Sequence, residues 1–376
     1  MMTNRERALA VLNFAPYDRL PVVHFGFWEE TLEKWQAEGH LSPEEATGWT
    51  DGNQIDRAIS ARLGFDFNWY SCYIPNTGLE PAFVERVVEE RPDGTRLVVN
   101  VDGVIVLQKD GVRSIPAEID HLLKDRASWE EHYLPRLRDS AARIDVTALE
   151  ALRDATDRDV PIGLHCGSLF GKVRDWCGIV GLSYMLADDE DLVDEIIGTV
   201  GDLCFRVAQQ VLETGVTFDF GHFWEDICFK SGPLVNPAFF DRKVGPHYVR
   251  IVRLLNDHGI NIVSVDCDGK IDRLLPTWLQ SGVNTMFPIE VGTWNASIKP
   301  WRELYGRDLR GVGGMDKRVF ARDRAAIDAE IERLRPLVAL GGYIPCPDHR
   351  IAPDAEWDNV RYYCDRMRTV FGQQAW

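Results

Sequence analysis

The sequence predicts an α/β protein built on a (β/α)8 TIM barrel, with a β-meander inserted after the second strand. Short apolar runs flanked by Gly, Pro or Asp alternate with longer amphipathic segments, a pattern typical of parallel strands joined by helices. Eight such runs occur in the 376 residues. Residues 81–108 interrupt the alternation with extended runs and tight turns. Since a bare barrel needs about 250 residues, the eight units and the meander account for residues 1–376 as a single domain.

Eight segments are predicted as barrel strands because each is short, apolar and bounded by turn residues. They are Leu20–Phe25, Phe65–Trp69, Val160–His165, Thr217–Gly221, Ile260–Val265, Asn284–Pro288, Asp308–Val312 and Gly342–Pro345. Between them, Ser42 and Asp323 are predicted helix N-caps. Asn236 and Pro237 start a helix that is predicted to run to about His258.

Two turn signals divide residues 81–108 into strands. The first is Pro92-Asp93-Gly94 and the second is Asp102-Gly103. Both sequences favour tight turns, and the second is a typical hairpin signal. The segment is therefore predicted to be a meander of antiparallel strands.

Composition and charge exclude several classes of protein. The net charge is −17, from 42 basic and 59 acidic side chains, and no basic cluster predicts nucleic-acid binding. No apolar stretch reaches the roughly 18 to 20 residues of a membrane span. The eight cysteines are irregularly spaced, which predicts free thiols in a reducing compartment. We therefore expect a cytoplasmic protein.

Many reactive side chains directly follow the predicted strands. In a barrel, the active site lies at these carboxyl ends of the strands. Four of the nine histidines are among them. Nitrogen, sulfur and carboxylate donors suit zinc or a similar cation, and aromatic rings suit the wall of an apolar pocket. The alternative is that the carboxylates cap helices and the rings belong to the core. The predicted substrate-binding residues are His24, Trp28, Trp69, Tyr70, His165, His222, Trp224 and Glu290.

A pair of carboxylates after the fourth predicted strand supplies candidates for acid catalysis. Glu225 lies beside Trp224, where partial desolvation would raise the pKa of its carboxyl, as a general acid requires. Asp226 is the next candidate, and His349 after the last strand is the third catalytic candidate. The alternative for the carboxylates is a solvated loop.

Several motifs resemble the uroporphyrinogen decarboxylase superfamily over nearly the whole chain. The opening Asn4-Arg5-Glu6-Arg7 with Asp18-Arg19-Leu20-Pro21-Val22 is similar to the start of that family. Val265-Asp266-Cys267-Asp268-Gly269 and Phe287-Pro288-Ile289-Glu290 resemble two internal segments. Gly341-Gly342-Tyr343-Ile344-Pro345, followed by Asp348-His349, resembles the last strand and its loop. The resemblance implies the barrel fold.

The resemblance also implies a choice between two activities. Decarboxylases of the superfamily carry an early arginine-rich segment that grips the propionates of a tetrapyrrole, whereas residues 22–28 contain no arginine. A role in haem biosynthesis is therefore rejected. The other branch contains cobalamin-dependent methyltransferases, which implies transfer of a methyl group from a small donor, in the first place a methoxylated aromatic compound, to a corrinoid carrier protein. A decarboxylase or lyase of a smaller acid is the alternative, and a barrel that only binds a ligand is a third.

The same resemblance implies a metal site. Thiol-using members hold zinc through a His-x-Cys pair and a late Cys, and these positions fall on Asp266, Asp268 and His349. The chain departs from the family pattern at all three, yet oxygen and imidazole donors still suit Zn²⁺. Cys267 and Cys346 are alternative ligands. The corrinoid is expected on a separate protein, and a homodimer is compatible with the sequence.

Overall fold

Short buried strands and longer helices alternate along the chain, as the sequence predicts. The computed structural model describes residues 1–109, 116–155 and 157–372. Its strands are β1 Val23–His24, β2 Phe67–Asn68, β3 Cys72–Tyr73, β4 Arg86–Glu90, β5 Thr95–Val99, β6 Val104–Lys109, β7 Ala117–His121, β8 Gly163–His165, β9 Phe220–Trp224, β10 Cys228–Phe229, β11 Gly232–Pro233, β12 Val263–Asp266, β13 Thr285–Phe287, β14 Arg310–Met315 and β15 Tyr343–Pro347. Its helices are α1 Asn4–Leu12, α2 Glu29–Ala37, α3 Pro43–Gly48, α4 Gln54–Leu63, α5 Arg126–Ser128, α6 Val146–Asp154, α7 Gly171–Asp188, α8 Glu190–Glu213, α9 Pro237–Lys243, α10 Gly245–Asp257, α11 Leu275–Gln280, α12 Val291–Trp294, α13 Ile298–Tyr305, α14 Arg324–Val338 and α15 Trp357–Phe371. Short 3-10 or π turns lie at Trp129–Tyr133, Leu134–Arg136, Ala141–Arg143, Gly306–Asp308 and Lys317–Ala321.

A seven-stranded sheet forms the centre of the protein, in the order β15-β14-β13-β12-β9-β8-β3. All neighbouring strands in it are parallel. Apart from β3, each of its strands overlaps a segment predicted from the sequence. β9 begins at Phe220, three residues later than predicted, so His222 and Trp224 belong to the strand. The parallel sheet with helical connections confirms the α/β class.

The first two predicted strands form a separate sheet. β1 and β2 pair in parallel with each other, and a single parallel bridge from Phe27 to Ile351 links the first strand to the segment after β15. The N–H group of Val22 donates to the Asp66 carboxylate at 2.8 Å and not to a backbone carbonyl of a neighbouring strand. The strand β1 therefore does not include Val22. Within the described residues the strands therefore do not form one closed sheet, and the closed barrel stays a prediction.

Four antiparallel strands, in the order β4-β5-β6-β7, form a third sheet between β3 and β8 along the chain. The two predicted turns connect its first three strands. Gly94 and Gly103 lie in these turns with φ values of 80° and 78°, which glycine adopts easily. The sheet extends beyond the predicted residues 81–108, because it includes a fourth strand, β7, that was not predicted. Four of the five β7 residues are exposed, so the strand lacks the apolar alternation that would reveal it.

The predicted helix caps are present, and one predicted helix is divided. Ser42 accepts a hydrogen bond from the N–H of Glu45 at the start of α3, and Asp323 caps α14 in the same way. The helix predicted from Pro237 to about His258 is split into α9 and α10. Pro246 lies at the break and lacks an N–H group, and a proline disfavours helical conformation in the residue before it.

The apolar core lies between the central sheet and its helices. The helix α8 contributes a buried stripe with helical spacing, formed by Val193, Ile197, Val200, Cys204, Val207 and Val211. Although α8 has 24 residues, neither it nor another helix in the described part of the chain is apolar enough to cross a membrane.

Candidate active site

The carboxyl ends of the central strands bring several predicted residues together. Asp226 follows β9, Asp266 ends β12, and Asp268 lies two residues further on. Glu290 follows β13 and His349 follows β15. In parallel sheets, ligands bind outside these carboxyl ends. This edge is therefore the candidate active site.

Three carboxylates, Asp226, Asp266 and Asp268, form what we call the acid cluster. One oxygen from each lies within 4.8 Å of the others, a spacing at which the three could hold one metal ion. Asp226 adopts a left-handed backbone conformation with φ of 46°, which aspartate tolerates better than most residues. Its Oδ1 accepts a hydrogen bond from the N–H of Asp268 at 2.9 Å. The local fold therefore directs these carboxylates towards one another.

Burial and mutual repulsion disfavour the charged form of the acid cluster. Burial raises the pKa of Asp226 to about 7, and the neighbouring charge of Asp268 contributes to this rise. Burial, followed by the charges of Asp226 and Asp268, raises the pKa of Asp266 well above its ordinary value. Carboxylates that repel one another are stabilised by a shared proton or by a cation. The acid cluster can therefore serve as a proton donor or as a cation site.

His349 contacts the acid cluster through one of its members. Its Nε2 lies 3.3 Å from Oδ2 of Asp268, and its Nδ1 accepts a hydrogen bond from the N–H of Arg350 at 2.8 Å. Since Nδ1 is the acceptor, we assign the ring proton to Nε2, which faces Asp268. The predicted role of His349 as a metal ligand stays a prediction. In this arrangement it orients a carboxylate, as partners of metal ligands commonly do.

Two further carboxylates flank the acid cluster. Glu290 accepts hydrogen bonds from the N–H of Gly269 at 2.5 Å and from the hydroxyl of Thr293 at 2.7 Å. Asp348 accepts from the N–H groups of Gly292, at 2.6 Å, and Lys317, at 3.2 Å. Burial raises the pKa of both carboxyls. Both are thus fixed by neutral donors.

Two cavities open beside the acid cluster and share Asp268, Glu290 and Thr293. The first has a volume of about 400 Å³ and is also lined by Trp28, Gly292, Lys317, Arg318, Asp348 and His349. The second, of about 630 Å³, is also lined by residues 228–231 and Gly269. Volumes of this size suit small-molecule ligands. The ring of Trp28 stacks on His349 with centroids 5.3 Å apart and forms one wall of the first cavity.

A third, smaller cavity contains three other predicted residues. Its volume is about 230 Å³, and Tyr70, His165 and Trp224 line it together with Lys172 and Ser168. Burial lowers the pKa of His165 to about 4, so the imidazole is neutral at physiological pH. Tyr70 connects this cavity to the acid cluster through a hydrogen bond to Asp266.

His24, Trp69 and His222 line none of the three cavities described above. Their exposed fractions are 0%, 1% and 0%. His24 is hydrogen-bonded to Ser60 through Nε2 at 2.8 Å, and Trp69 stacks on Phe220 with centroids 4.4 Å apart. The substrate contacts predicted for these three residues therefore have no support from the described cavities. The interior of the fold is filled with side chains at these positions.

Glu225 is turned away from the acid cluster. Its carboxylate accepts hydrogen bonds from the N–H groups of Leu169, Phe170 and Gly171 at 2.6–3.0 Å, where α7 begins. The hydroxyl of Tyr248 also donates to it. Burial raises the pKa of Glu225, and these hydrogen bonds oppose the rise. The carboxylate thus anchors a helix N-terminus, and these hydrogen bonds lend no support to the predicted role of Glu225 as a general acid.

We expect Glu225→Gln to lower the free energy of unfolding, without a direct effect on the catalysed reaction. An amide has one acceptor oxygen and would bring its NH2 group against buried N–H donors. Loss of charged hydrogen bonds of this kind costs about 2–3 kcal/mol each. Denaturant unfolding measures the effect, and Glu213→Gln on the exposed end of α8 is the control. A wild-type unfolding free energy in Glu225→Gln would contradict the structural role.

The two alternative metal ligands are buried thiols. Cys267 and Cys346 have exposed fractions of 1% and 0%. Cys267 lies between Asp266 and Asp268 in the sequence, and its thiol donates to the carbonyl of Asp268 at 3.5 Å. Burial raises the pKa of both thiols well above the ordinary value. A thiolate is the form that binds a metal, so burial opposes this role for both cysteines, and neither belongs to the acid cluster.

Sequence reasoning missed two features of the site. Asp226 belongs to the acid cluster, although its sequence position suggested only an acid catalyst. Lys317, which follows β14, lines the first cavity. The strand predicted to end at Val312 continues to Met315 in the structure, and this extension brings Lys317 close to the strand end.

Comparisons with known proteins agree with this architecture. Residues 111–370 match the family described as uroporphyrinogen decarboxylase (URO-D). A solved structure of a methyltransferase from Methanosarcina mazei is similar, with a TM-score of 0.61 and 16% identity, covering 98% of this chain and 99% of that one. A structure described as a vitamin-B12-independent methionine synthase from Listeria monocytogenes gives a TM-score of 0.43 and 12% identity, covering 96% and 99%. No curated protein matches the chain. With more than half of its length matched, the chain belongs to the uroporphyrinogen decarboxylase family.

Proposed function

We propose that the protein is a corrinoid-dependent methyltransferase. It takes a methyl group from a small O-methylated substrate, in the first place a methoxylated aromatic compound, and transfers it to the corrinoid of a separate carrier protein. The observation that carries the proposal is the acid cluster beside two small-molecule cavities at the strand ends. Family membership and the fold shared with a methyltransferase support it.

A metal ion fits the acid cluster by the chemistry of the donors. Asp226, Asp266 and Asp268 supply oxygens, which hard divalent cations prefer and zinc also accepts. The Oδ1 atom of Asp268 is buried and has no hydrogen-bond partner among the described residues. A bound cation would act as a Lewis acid on the negative charge that develops on the leaving oxygen. His349 would keep Asp268 oriented towards it.

The residues of the chain can also stabilise the leaving oxygen without a metal. With a pKa of about 7, the carboxyl of Asp226 is partly protonated at neutral pH. It could therefore donate a proton to the alkoxide or phenoxide that the methyl group leaves behind. The reduced corrinoid of the carrier supplies the nucleophile. The walls formed by Trp28 and His349 exclude water from one side of the substrate.

A tetrapyrrole decarboxylase is less compatible with these residues. Residues 22–28 contain no arginine, and Arg350 nearby is already held by Asp51 through contacts of 3.2 and 2.6 Å. A substrate with many carboxylates needs several free cations. The alternative function is decarboxylation of a smaller carboxylic acid, which the name of the family favours.

An anaerobic product assay tests the proposal. The protein is mixed with a reduced corrinoid carrier protein and a panel of methoxylated aromatic compounds, and methylcobamide is followed by absorbance. We expect methylcobamide and the demethylated product in equal amounts. Failure of every donor in the panel would contradict the proposal. Release of CO₂ from a small acid without the corrinoid would establish the alternative.

A further inference from the structure

Lys317 is a cationic side chain that the proposed chemistry does not use. It follows β14 and lines the cavity of about 400 Å³ together with Trp28, Asp268 and His349. Its side chain is partly buried, and burial lowers its pKa. Its position in the same cavity as the acid cluster suggests contact with a ligand.

The ammonium group of Lys317 lacks a close carboxylate. Its Nζ donates one hydrogen bond, to the carbonyl of Arg350 at 2.7 Å. Across residues 1–109, 116–155 and 157–372, no acidic oxygen lies within 4.0 Å of Nζ. The neighbouring Arg318 differs, since Asp316 holds it through two contacts of 2.8 Å. Lys317 therefore keeps two N–H donors for another partner.

Desolvation makes an unpaired ammonium costly. A buried charge is stabilised only when it is paired and hydrogen-bonded. Four carboxylates act on the ammonium from a distance, first Asp348 and then Asp268, Asp354 and Glu290. Asp348 and Glu290 are occupied by N–H groups and a hydroxyl, as described above, and among the described residues none of the four comes close enough to form an ion pair with Nζ. An anionic group entering the cavity would complete the pairing.

We propose that Lys317 binds a carboxylate group of the ligand and is a specificity-determining residue of this site. A small acid held there by its carboxylate would extend along Trp28 with its other end towards Asp268. The identity of that ligand as methyl donor depends on the proposed function, whereas carboxylate binding does not. The inference thus narrows the substrate class to small acids.

Direct binding tests this inference without any reaction. Isothermal titration of the full chain compares 4-methoxybenzoate with its neutral isostere 4-methoxybenzamide. We expect the wild type to bind the acid about ten- to a hundredfold more tightly, the range for a charged hydrogen bond. Lys317→Met should remove this preference, and Lys317→Arg should retain most of it. Lys299→Met, an exposed lysine on α13 that lines neither cavity of the site, is the matched control and should keep it.

Several outcomes would overturn the inference. They are equal affinity of the wild type for acid and amide, failure of the wild type to bind the acid, and an unchanged preference in Lys317→Met. Thermal unfolding shows whether each variant is folded. If Lys317→Met is not folded, Lys317→Arg provides the second test, since it should retain most of the preference for the acid. Acid binding that depends on Lys317, combined with no methyl transfer, would reject only the proposed function.

Discussion

We expect Asp266→Asn to lower the rate of methyl transfer more than about 100-fold, the usual scale for an electrostatic or acid–base role. Asp266 is buried at the end of β12 and is the innermost member of the acid cluster. Asparagine has nearly the same shape, but it removes a carboxylate that a cation or a shared proton requires. Single-turnover methyl transfer measures the loss.

The same substitution should leave stability unchanged or raise it. Replacing Asp266 removes repulsion from Asp226 and Asp268, and functional sites commonly trade stability for activity. A loss of activity with a preserved melting temperature would therefore show that the substitution affects the reaction and not the folding of the protein. Asp257→Asn, at the exposed end of α10, is the matched control. Full activity in Asp266→Asn would show that the acid cluster is not the reactive centre.

The second large effect is a pH dependence of stability. The pKa of Asp226 is raised from 3.8 to about 7 in the folded chain, so the folded state holds a proton that the unfolded state releases. Its contribution is fully present below pH 3.8 and is lost as the pH rises through about 7. Each pH unit in this window weakens the folded state by about 1.4 kcal/mol. We expect unfolding free energies of the protein without added cation to fall accordingly.

A difference measurement isolates this contribution. Urea unfolding measures the free energy of unfolding of the wild type and of Asp226→Asn between pH 5 and pH 8. The difference between the two proteins should change with pH, because asparagine does not titrate. Asparagine also tolerates the left-handed conformation of residue 226. Excess Mg²⁺ or Mn²⁺ should reduce the fall in the wild type. Parallel curves for the two proteins would contradict the raised pKa.

Local sequence patterns predicted the strands but not their ends. The run around Phe220 contains apolar and polar residues in alternation, and the strand was predicted to end at Gly221, before His222 and Trp224. In the structure both belong to β9; His222 is buried, whereas Trp224 lines the third cavity. A histidine in a strand interior is stabilised by distant partners, here Ser264 at 2.6 Å. Such long-range pairing leaves no local signal.

The acid cluster was partly predictable for a geometric reason. Alternation along an extended segment predicted that Asp266 and Asp268 point to the same side, with Cys267 opposite, and in the structure the two carboxylates lie within 4.8 Å of each other. The partner Asp226 comes from a strand 40 residues earlier in the chain. Glu225, its neighbour, turns to N–H groups more than 50 residues away. Tertiary contacts therefore decide that Asp226 joins the acid cluster and that Glu225 binds a helix N-terminus.

The transfer of one labelled methyl group tests the central claim most directly. A donor with a ¹³C-methoxy group is mixed anaerobically with the reduced corrinoid carrier and either the wild type or a variant in which Asp226, Asp266 and Asp268 are all asparagine. We expect the wild type to produce ¹³C-methylcobamide and the demethylated product in a one-to-one ratio, and the folded variant to produce neither. Absence of label on the corrinoid with the wild type, or equal transfer by the variant, would contradict a methyltransferase that acts through the acid cluster.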